Sequence, residues 1–374
     1  MSLDLETIRA LPKVALHDHL DGGPRPGTLV ELAQEVGHTL PTSDPDELGR
    51  WFFDAASSGS LERFLTTFDH VLPMMQRAEH LQRIAREAVA DLAADGVVAA
   101  EQRYAPEQHL QGGLTPQQVG DAVQAGLAEG MAEAAAAGRP IRVGQIVTAL
   151  RHGSAAEWTA DLALANRDRG VVGFDVAGAE AGCALAPHVP ALHRLRQASF
   201  PVTIHAGEAA GLDSIADALH LGLAQRIGHG MRVADDVTLG EASEEDPWGL
   251  AGARLGLVAH WVRDTQTTLE LCPTSNVQTG AVGSIAEHPI TVLNALGFAV
   301  TVSSDNRLMC GTSTSEELYH LVTQAHWTLE DVRDATVTAA WSLFRHQDER
   351  AALVEEIIEP AYAAAVGGSG RHRA

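Results

Sequence analysis

Lysine is almost missing from this chain, because Lys13 is its only example. A phosphate-binding loop of the G-x-x-x-x-G-K-[ST] type needs a lysine after its glycines, and no such motif occurs. Schiff-base chemistry would have to use Lys13. The sequence also lacks the G-x-S-x-G turn of many serine hydrolases and the G-x-G-x-x-G motif of dinucleotide-binding domains. These absences argue against several common enzyme classes.

Cysteine is scarce as well. The three cysteines, Cys183, Cys272 and Cys310, are an odd number and show no C-x-x-C spacing. This pattern argues against a disulfide framework and against a zinc site built from cysteines. We therefore expect all three residues to be small buried thiols.

Positive charge and long apolar runs are both scarce. The formal net charge is −23, and Lys and Arg form no cluster, so nucleic acid and anionic membrane surfaces are poor partners. No apolar run approaches the roughly 20 residues that span a bilayer, and the N-terminal "MSLDLETIRALPK" does not resemble a secretory signal. We expect a cytoplasmic protein whose partner is a small molecule that is not strongly anionic.

Eight short runs rich in Val, Ile and Leu are separated by segments with a helical spacing of apolar residues. Several runs are continuously apolar, as in strands of a parallel sheet that are buried on both faces. This alternation predicts a (β/α)8 TIM barrel, an α/β fold, with extra helices after the first strand and at the C-terminus. We expect one domain over residues 1–366 and a disordered tail over 367–374. The runs cover residues 13–20, 96–106, 141–150, 170–178, 200–208, 226–230, 269–276 and 298–306.

Helix signals fit the intervals between these runs. Thr115, Pro116 and Gln118 match an N-terminal capping box followed by a long helix. Residues 212–225 are expected to form the helix between the fifth and sixth runs, and another helical stretch is expected within 248–262.

Barrel enzymes carry their chemistry at the C-terminal ends of the strands, so polar residues there are the first candidates. His17 and His19 are one residue apart and face the same side of a strand. With further histidines and an aspartate at other strand ends, they suit a borderline divalent metal ion. A lone H-x-H pair among 18 histidines would more often be an ordinary surface or core feature. The strand-end residues are His17, His19, Asp21, Asp175, Gly178, His205, Glu208, His229, Asp305 and Asn306.

Four features also have simpler explanations. Glu208 could be an acid at a helix N-terminus, although a nearby metal ligand favours a role in proton transfer. Gly178 could be a turn glycine, and Asp21 could be a helix N-cap. The fourth feature is a helically spaced apolar stripe, which is more often core than ligand contact. The stripe comprises Leu61, Phe64, Leu65 and Phe68.

Six sequence elements resemble those of the adenosine deaminase family. They occur in the family's order and cover residues from about 13 to 346. Single elements also occur in related metal-dependent hydrolases of the same barrel, whereas their combination with "HAGE" is more specific. The elements are "LHDHLDGG", "FDVAGAE", "HAGE", "RIGHG", "LCPTSNVQTG" and "SSDN".

The resemblance implies a metal site and three catalytic side chains, one of which is also a metal ligand. His229 is similar to the catalytic histidine beside the attacking water, and Glu208 is similar to the acid that protonates N1 of the purine. Asp305 would both bind the metal and orient the water. The four residues that resemble ligands of a single zinc ion are His17, His19, His205 and Asp305.

The resemblance also implies substrate contacts. The backbone N–H of Gly178 would meet N3 of the purine, and Asp21, beside His19, would hold the ribose 5′-hydroxyl. Many family members carry an aspartate where this chain has Asn306. An amide can donate to N7 without carrying an acidic proton, so this contact is retained. The segment that resembles the family's hydrophobic lid contains Leu61, Phe64, Leu65 and Phe68.

The expected function is zinc-dependent hydrolytic deamination of adenosine, and of 2′-deoxyadenosine, to inosine and ammonia. One alternative is a deaminase for adenine, S-adenosylhomocysteine or aminodeoxyfutalosine. Another is a zinc- or nucleoside-binding protein without turnover. A hydrolase of esters or cyclic amides is disfavoured, because Lys13 is badly placed to become a carboxylated lysine between two metals. The sequence does not decide between a monomer and a homodimer.

Overall fold

The computed structural model describes residues 3–368, and these residues form ten β-strands. Eight of the strands overlap the eight predicted runs. The strand in the seventh run ends earlier than predicted, because Pro273 begins a helix instead of continuing the strand. The strands are β1 Lys13–His19, β2 Val97–Tyr104, β3 Arg142–Leu150, β4 Val171–Ala177, β5 Thr203–Ala206, β6 Arg226–His229, β7 Val237–Thr238, β8 Arg254–Leu255, β9 Thr268–Leu271 and β10 Val300–Val302.

The eight strands other than β7 and β8 form two parallel sheets that meet at both edges. Their orders are β1-β2-β3-β4 and β10-β9-β6-β5. One parallel bridge pairs Asp18 with Asp305, and another pairs Phe174 with Val202. These bridges join β1 to the end of β10 and β4 to the start of β5, so the strands follow one another around a ring, as predicted for the barrel.

Helices alternate with the strands and cover them. For example, α15 packs against β1 and β10, and α9 packs against β5. The helices are α1 Leu5–Ala10, α2 Pro26–Val36, α3 Pro45–Ala56, α4 Leu61–Leu65, α5 Ala78–Ala94, α6 Pro116–Ala136, α7 Ala156–Ala165, α8 Val189–Gln197, α9 Leu212–His220, α10 Leu257–Asp264, α11 Pro273–Gln278, α12 Ile290–Ala295, α13 Arg307–Cys310, α14 Thr314–Gln324, α15 Leu329–Ser342, α16 Gln347–Ala352 and α17 Glu359–Gly368.

The predicted extra helices after the first strand and at the C-terminus are present. Helices α2 to α5 lie between β1 and β2, and α13 to α17 follow β10. One hydrophobic cluster runs through these additions and the barrel, from Ile8 to Tyr362. Burying a large side chain such as Phe174, which is fully buried, contributes roughly 1.5–3 kcal/mol.

Local helix signals were partly correct. Thr115 caps α6, and its side chain and that of Gln118 form the predicted reciprocal capping box. The helix predicted over 212–225 ends already at His220. Within 248–262, a short 3-10 helix covers Leu250–Gly252 and the α-helix begins only at Leu257. The reason for the second error is a short antiparallel hairpin, in which β7 pairs with β8.

Three remaining sequence predictions concern the termini, membranes and thiols. The predicted tail 367–374 lies outside the described residues except for its first two, which end α17. Among residues 3–368, every helix is too short or too polar to span a lipid bilayer. Cys272 and Cys310 are buried free thiols as predicted, whereas Cys183 is only partly buried.

Candidate active site

Side chains from the C-terminal ends of β1, β5 and β10 converge on one point. The Nε2 atoms of His19 and His205 are 3.2 Å apart. Asp305 Oδ1 lies 3.3 Å from Nε2 of His17 and 3.4 Å from Nε2 of His19. The Nε2 atom of His17 is buried and has no hydrogen-bond partner within the described chain. The four sequence-predicted ligands are therefore neighbours, although 288 residues separate the first from the last.

This arrangement suits a divalent cation. Imidazole nitrogens and a carboxylate oxygen that face one another are the donors that such an ion prefers. Burial by itself would raise the pKa of Asp305, but the adjacent imidazole of His17 and the other histidines hold it well below its usual range. Asp305 is therefore an anion, and these residues could hold a metal ion.

A second group of potential ligands overlaps the first. Atoms of His17, His229, Cys272 and Asp305 also lie within 4.8 Å of one another. Burial raises the pKa of Cys272 well above its usual range, and the thiol donates a hydrogen bond to the backbone carbonyl of Glu270 at 3.4 Å. Thiolate is the form of cysteine that binds metals. The site made of three histidines and Asp305 is therefore the better candidate.

Two carboxylates stand behind the ligand histidines. His17 Nδ1 donates to Glu270 Oε2 at 2.9 Å, and His205 Nδ1 donates to Asp175 Oδ1 at 3.1 Å. An ionised carboxylate can only accept a hydrogen bond, so an imidazole with a single proton carries it on Nδ1 in both positions. The lone pair of each Nε2 therefore faces the convergence point, as metal ligation requires.

A buried arginine keeps both carboxylates ionised. Arg103 places Nη2 2.7 Å from Glu270 and Nη1 3.3 Å from Asp175. Burial would raise the pKa of Glu270, but Arg103 and Arg226 together hold it well below its usual range. The negative charge behind the ligand histidines is thus balanced inside the protein.

Glu208 lies in the turn that follows β5 and is buried, with 5% of its surface exposed. Its Oε2 is 3.5 Å from Nε2 of His229. Burial raises the pKa of Glu208 well above its usual range, and the charges of Asp305 and Glu180 raise it further. The protonated form of Glu208, which is the form that can donate a proton, is therefore favoured.

The backbone of this turn is held by Glu180, which sequence reasoning missed. Its carboxylate accepts hydrogen bonds from the backbone N–H of Gly207 at 2.6 Å and of Glu208 at 3.1 Å. It also accepts from Ala209 and Ala210, at 2.7 and 2.9 Å. The turn has little freedom as a result, and the Glu208 side chain leaves it in a defined direction.

His229 and Asp305 both have a left-handed backbone conformation, with φ of 57° and 58°. Residues with a Cβ adopt this conformation only in a small minority of cases. Hydrogen bonds hold the conformation at Asp305, where its N–H donates to His17 O at 3.0 Å and its carbonyl accepts from His19 N at 2.8 Å. The bridge between β1 and β10 thus places the metal-binding residues of both strands together.

Two predicted substrate contacts, Asp21 and Asn306, adjoin ligand residues, whereas the nearest side chains to Gly178 are those of His152 and Leu150. Asp21 is buried, and its Oδ1 has no hydrogen-bond partner among the described residues. Asn306 is also buried, and its side chain fills the space where a Cβ on Gly22 would lie, 1.8 Å from Asn306 Oδ1. Gly178 has a φ of 93°, which explains why a glycine stands there even without a substrate.

The apolar stripe divides between a cavity and the core. Leu61 lines a cavity of about 220 Å³ together with Glu208 and Arg232. Phe64 is buried in the hydrophobic core, and Phe68 packs against that core. Leu61 therefore faces the space next to Glu208, whereas Phe64 and Phe68 pack in or against the core. The contact of this stripe with a substrate stays a prediction.

Residues that support the site were mostly not predicted. Glu270 lies within an apolar strand, and its charge in the run "TLELC" was the available signal. Asp175 stands at a predicted strand end, but its residue type alone indicates no role there. Asn276, which contacts Nδ1 of His229 at 3.1 Å, lies in "LCPTSNVQTG", where no pattern singles it out.

Comparisons with known proteins agree with this geometry. The model of the Adenosine deaminase family matches residues 12–360. The adenosine deaminase of Mycobacteroides abscessus is 49% identical over 366 residues, which cover 98% of this chain and 99% of that protein. Adenosine deaminase 1 of Streptomyces coelicolor is 51% identical over 359 residues, or 96% of this chain and 89% of that protein.

A solved structure supports the fold. An amidohydrolase from Burkholderia ambifaria, determined with bound zinc, superposes with a TM-score of 0.82 at 21% identity. The match covers 99% of this chain and 96% of that one. At this identity the likeness concerns the barrel architecture, which agrees with the predicted (β/α)8 fold.

Proposed function

Because this chain belongs to the adenosine deaminase family, we propose that it hydrolyses adenosine to inosine and ammonia. The observation that carries the proposal is the convergence of four metal-binding side chains beside the buried, neutral acid Glu208. Two relatives that are 49% and 51% identical over nearly the whole chain are named adenosine deaminases. We include 2′-deoxyadenosine as a substrate, because no residue assigned here to substrate contact needs the ribose 2′-hydroxyl.

The metal in this proposal is one zinc ion. Its ligands would be His17, His19, His205 and Asp305, whose Nε2 and Oδ1 atoms face one another. The buried Nε2 of His17 without a hydrogen-bond partner supports this set. A zinc ion bound there would supply a Lewis acid that makes water a nucleophile at neutral pH.

The protein's own groups then carry the protons. Glu208 arrives neutral and donates its proton to N1 of the purine, which draws electron density away from C6. Asp305 accepts a hydrogen bond from the attacking water and orients it towards C6. His229, beside both, stabilises the charge that develops on the attacking oxygen. Collapse of the tetrahedral adduct at C6 breaks the C–N bond. One proton of the attacking water passes to the amino group, which leaves as ammonia, and the other returns to the carboxylate of Glu208.

Recognition of the nucleoside would use groups around this centre. Asp21, with its free Oδ1, accepts a hydrogen bond from the 5′-hydroxyl of the ribose. Asn306 donates through its amide to N7, and the N–H of Gly178 donates to N3. His19 lies between Asp21 and the other metal ligands. Leu61 covers the purine from the cavity beside Glu208. Phe64 and Phe68 would support this cover from the core.

The direct test couples metal analysis to ammonia release. The zinc-loaded protein should release ammonia from adenosine and 2′-deoxyadenosine, and removal of the metal by a chelator should stop it. Adenine, S-adenosylhomocysteine and aminodeoxyfutalosine form the comparison panel, and faster turnover of any of them would replace adenosine in the proposal. Zinc-loaded protein that binds adenosine and releases no ammonia from any substrate would show a binding protein instead.

A further inference from the structure

A chain of hydrogen bonds leads away from His229 into the protein. His229 Nδ1 is 3.1 Å from Nδ2 of Asn276, and Asn276 Oδ1 is 3.1 Å from Nε2 of His288. The other ring nitrogen of His288, Nδ1, is 3.1 Å from the backbone nitrogen of Ile290. The three side chains are buried, with at most 3% of their surfaces exposed. Solvent therefore does not compete for these contacts.

The direction of every bond in the chain follows from its last member. A backbone N–H can only donate, so Ile290 fixes Nδ1 of His288 as an acceptor. Burial lowers the pKa of His288 to about 3, so the ring is neutral and carries its single proton on Nε2. That proton is donated to Oδ1 of Asn276, which leaves the amide NH₂ to donate to Nδ1 of His229.

On the basis of the proposed function, we propose that Asn276 and His288 are positioning residues that hold His229 as the tautomer with its proton on Nε2. Nδ1 of His229 accepts from the amide, so a neutral ring must carry its proton on the opposite nitrogen. That nitrogen faces the site, 3.5 Å from Glu208 Oε2.

Two chemical consequences follow for His229. Its Nε2–H donates a hydrogen bond to the oxygen that becomes negative as water attacks C6, and it does not act as the base in the resting enzyme. Nε2 also has no free lone pair, so His229 is not a ligand of the metal. The overlapping ligand group that contains His229 and Cys272 is therefore excluded by the polarity of Asn276.

The test reads the tautomer directly by ¹⁵N NMR of the zinc-loaded protein with ¹⁵N-labelled histidine. The His229 signals are assigned by their loss in His229→Gln. The expected spectrum shows a bare Nδ1 and a protonated Nε2 for His229. A protonated Nδ1 in the wild-type protein would overturn the proposal. This result does not depend on turnover, so it is separate from the question of whether adenosine is the substrate.

Asn276→Asp reverses the polarity, because a carboxylate can only accept. The proton should move to Nδ1 of His229 with the zinc content unchanged, and kcat should fall on the order of 10²-fold, as for loss of one preorganised donor. If the variant folds and its His229 spectrum is unchanged, Asn276 does not set the tautomer of His229.

His288→Gln and His288→Leu form a second pair, useful if Asn276→Asp does not fold. The glutamine amide can replace the Nε2–H donor, so this variant should keep the wild-type His229 signals, whereas the leucine variant should lose them. The buried histidine His80, which bonds Met74 O away from this chain, supplies the control His80→Gln. Identical His229 spectra for the glutamine and leucine variants would overturn the role of His288.

Discussion

Two sides of the site use the same side chain for opposite purposes. On the β1 and β5 side, His17 and His205 have carboxylates behind Nδ1, so Nε2 presents a lone pair. On the β6 side, His229 has the amide of Asn276 behind Nδ1, and we propose that its Nε2 presents a proton. The comparison teaches that the atom behind a histidine, rather than its position at the rim, decides whether it binds a cation or donates a hydrogen bond.

The charges of the two sides differ in the same way. Glu270 and Asp175 place two anions behind the ligand histidines, and Arg103 contacts both of them. The groups behind His229 are neutral, because Asn276 has no charge and burial keeps the His288 ring neutral. A cation is thus favoured on the first side, while the second side stays suited to neutral donors.

Removing a ligand histidine should have the largest effect, because it breaks the cation-binding side. We expect His205→Ala to lose its bound metal on dialysis and to fall to the background rate of ammonia release, since one of the four donors is removed and the site opens to water. Metal analysis after dialysis and an activity assay measure both losses. His193→Ala, at an exposed histidine, is the control and should keep both. Full metal content in His205→Ala would contradict the ligand set.

Glu208→Gln should have the next largest effect and should leave the cation-binding side intact. Turnover should fall by about 10²–10⁴-fold, because glutamine has no acidic proton to give N1. Metal content and purine binding should match the wild-type protein, and Glu244→Gln at an exposed carboxylate should be neutral. Wild-type rates from Glu208→Gln would remove Glu208 from the mechanism.

The pH profile sharpens the same prediction. Since burial raises the pKa of Glu208, its proton is available at neutral pH and is lost as pH rises through that pKa. Wild-type kcat should therefore decline on the alkaline side. The residual activity of Glu208→Gln should not show this alkaline decline of kcat. If the decline persists in the variant, another group causes it.

Asp175→Asn should have an intermediate effect and tests the carboxylate backing of His205. An amide can present either a donor or an acceptor to Nδ1, so the orientation of the Nε2 lone pair is no longer enforced. We expect metal affinity to fall by about 10–100-fold, measured by competition with a chelator of known affinity. Asp213→Asn, at an exposed aspartate, is the matched control. Unchanged affinity in Asp175→Asn would mean that the backing carboxylate does not tune the site.

Glu317→Gln should have the smallest effect and concerns the scaffold on the His229 side. Glu317 accepts from the N–H of Thr274 at 3.0 Å, in the helix that carries Asn276. Burial raises the pKa of Glu317 from 4.5 to about 7. The folded state therefore binds this proton more tightly than the unfolded chain, and stability falls as pH rises from about 4.5 to about 7.

The measurement is urea unfolding of both proteins across this pH range. Over this range the free energy of unfolding of the wild-type protein should fall by at most about 3 kcal/mol because of this carboxyl group. The glutamine variant should not show this fall. Glu245→Gln, at an exposed carboxylate, should follow the wild-type curve. Parallel curves for the wild-type protein and Glu317→Gln would show that Glu317 does not titrate in this window.

The strand ends were predictable because chemistry and topology coincide there. Parallel strands of a barrel bring their carboxyl ends to one rim, so His17, His205 and Asp305 could be grouped without knowing any side-chain conformation. The single domain over 1–366 and the cytoplasmic location stay predictions. The roles of Asp21 and Gly178 also stay predictions, since each rests on a substrate contact.

The supporting residues were not predictable in the same way. Glu270 meets His17 across 253 residues of sequence, and the meeting depends on strand register and on which face of β9 the side chain occupies. Glu180 acts through four backbone N–H groups of a turn, which no residue pattern reveals. Phe64 has the same helical spacing as Leu61, yet only the packing shows that it enters the core.

The most direct test of the metal site is anomalous diffraction at the zinc absorption edge from crystals of the zinc-loaded protein. We predict one peak at about 2.0–2.2 Å from the Nε2 atoms of His17, His19 and His205 and from the Asp305 carboxylate. A peak bonded to His229 Nε2 or to Cys272 Sγ, or a peak away from this rim, would contradict the account.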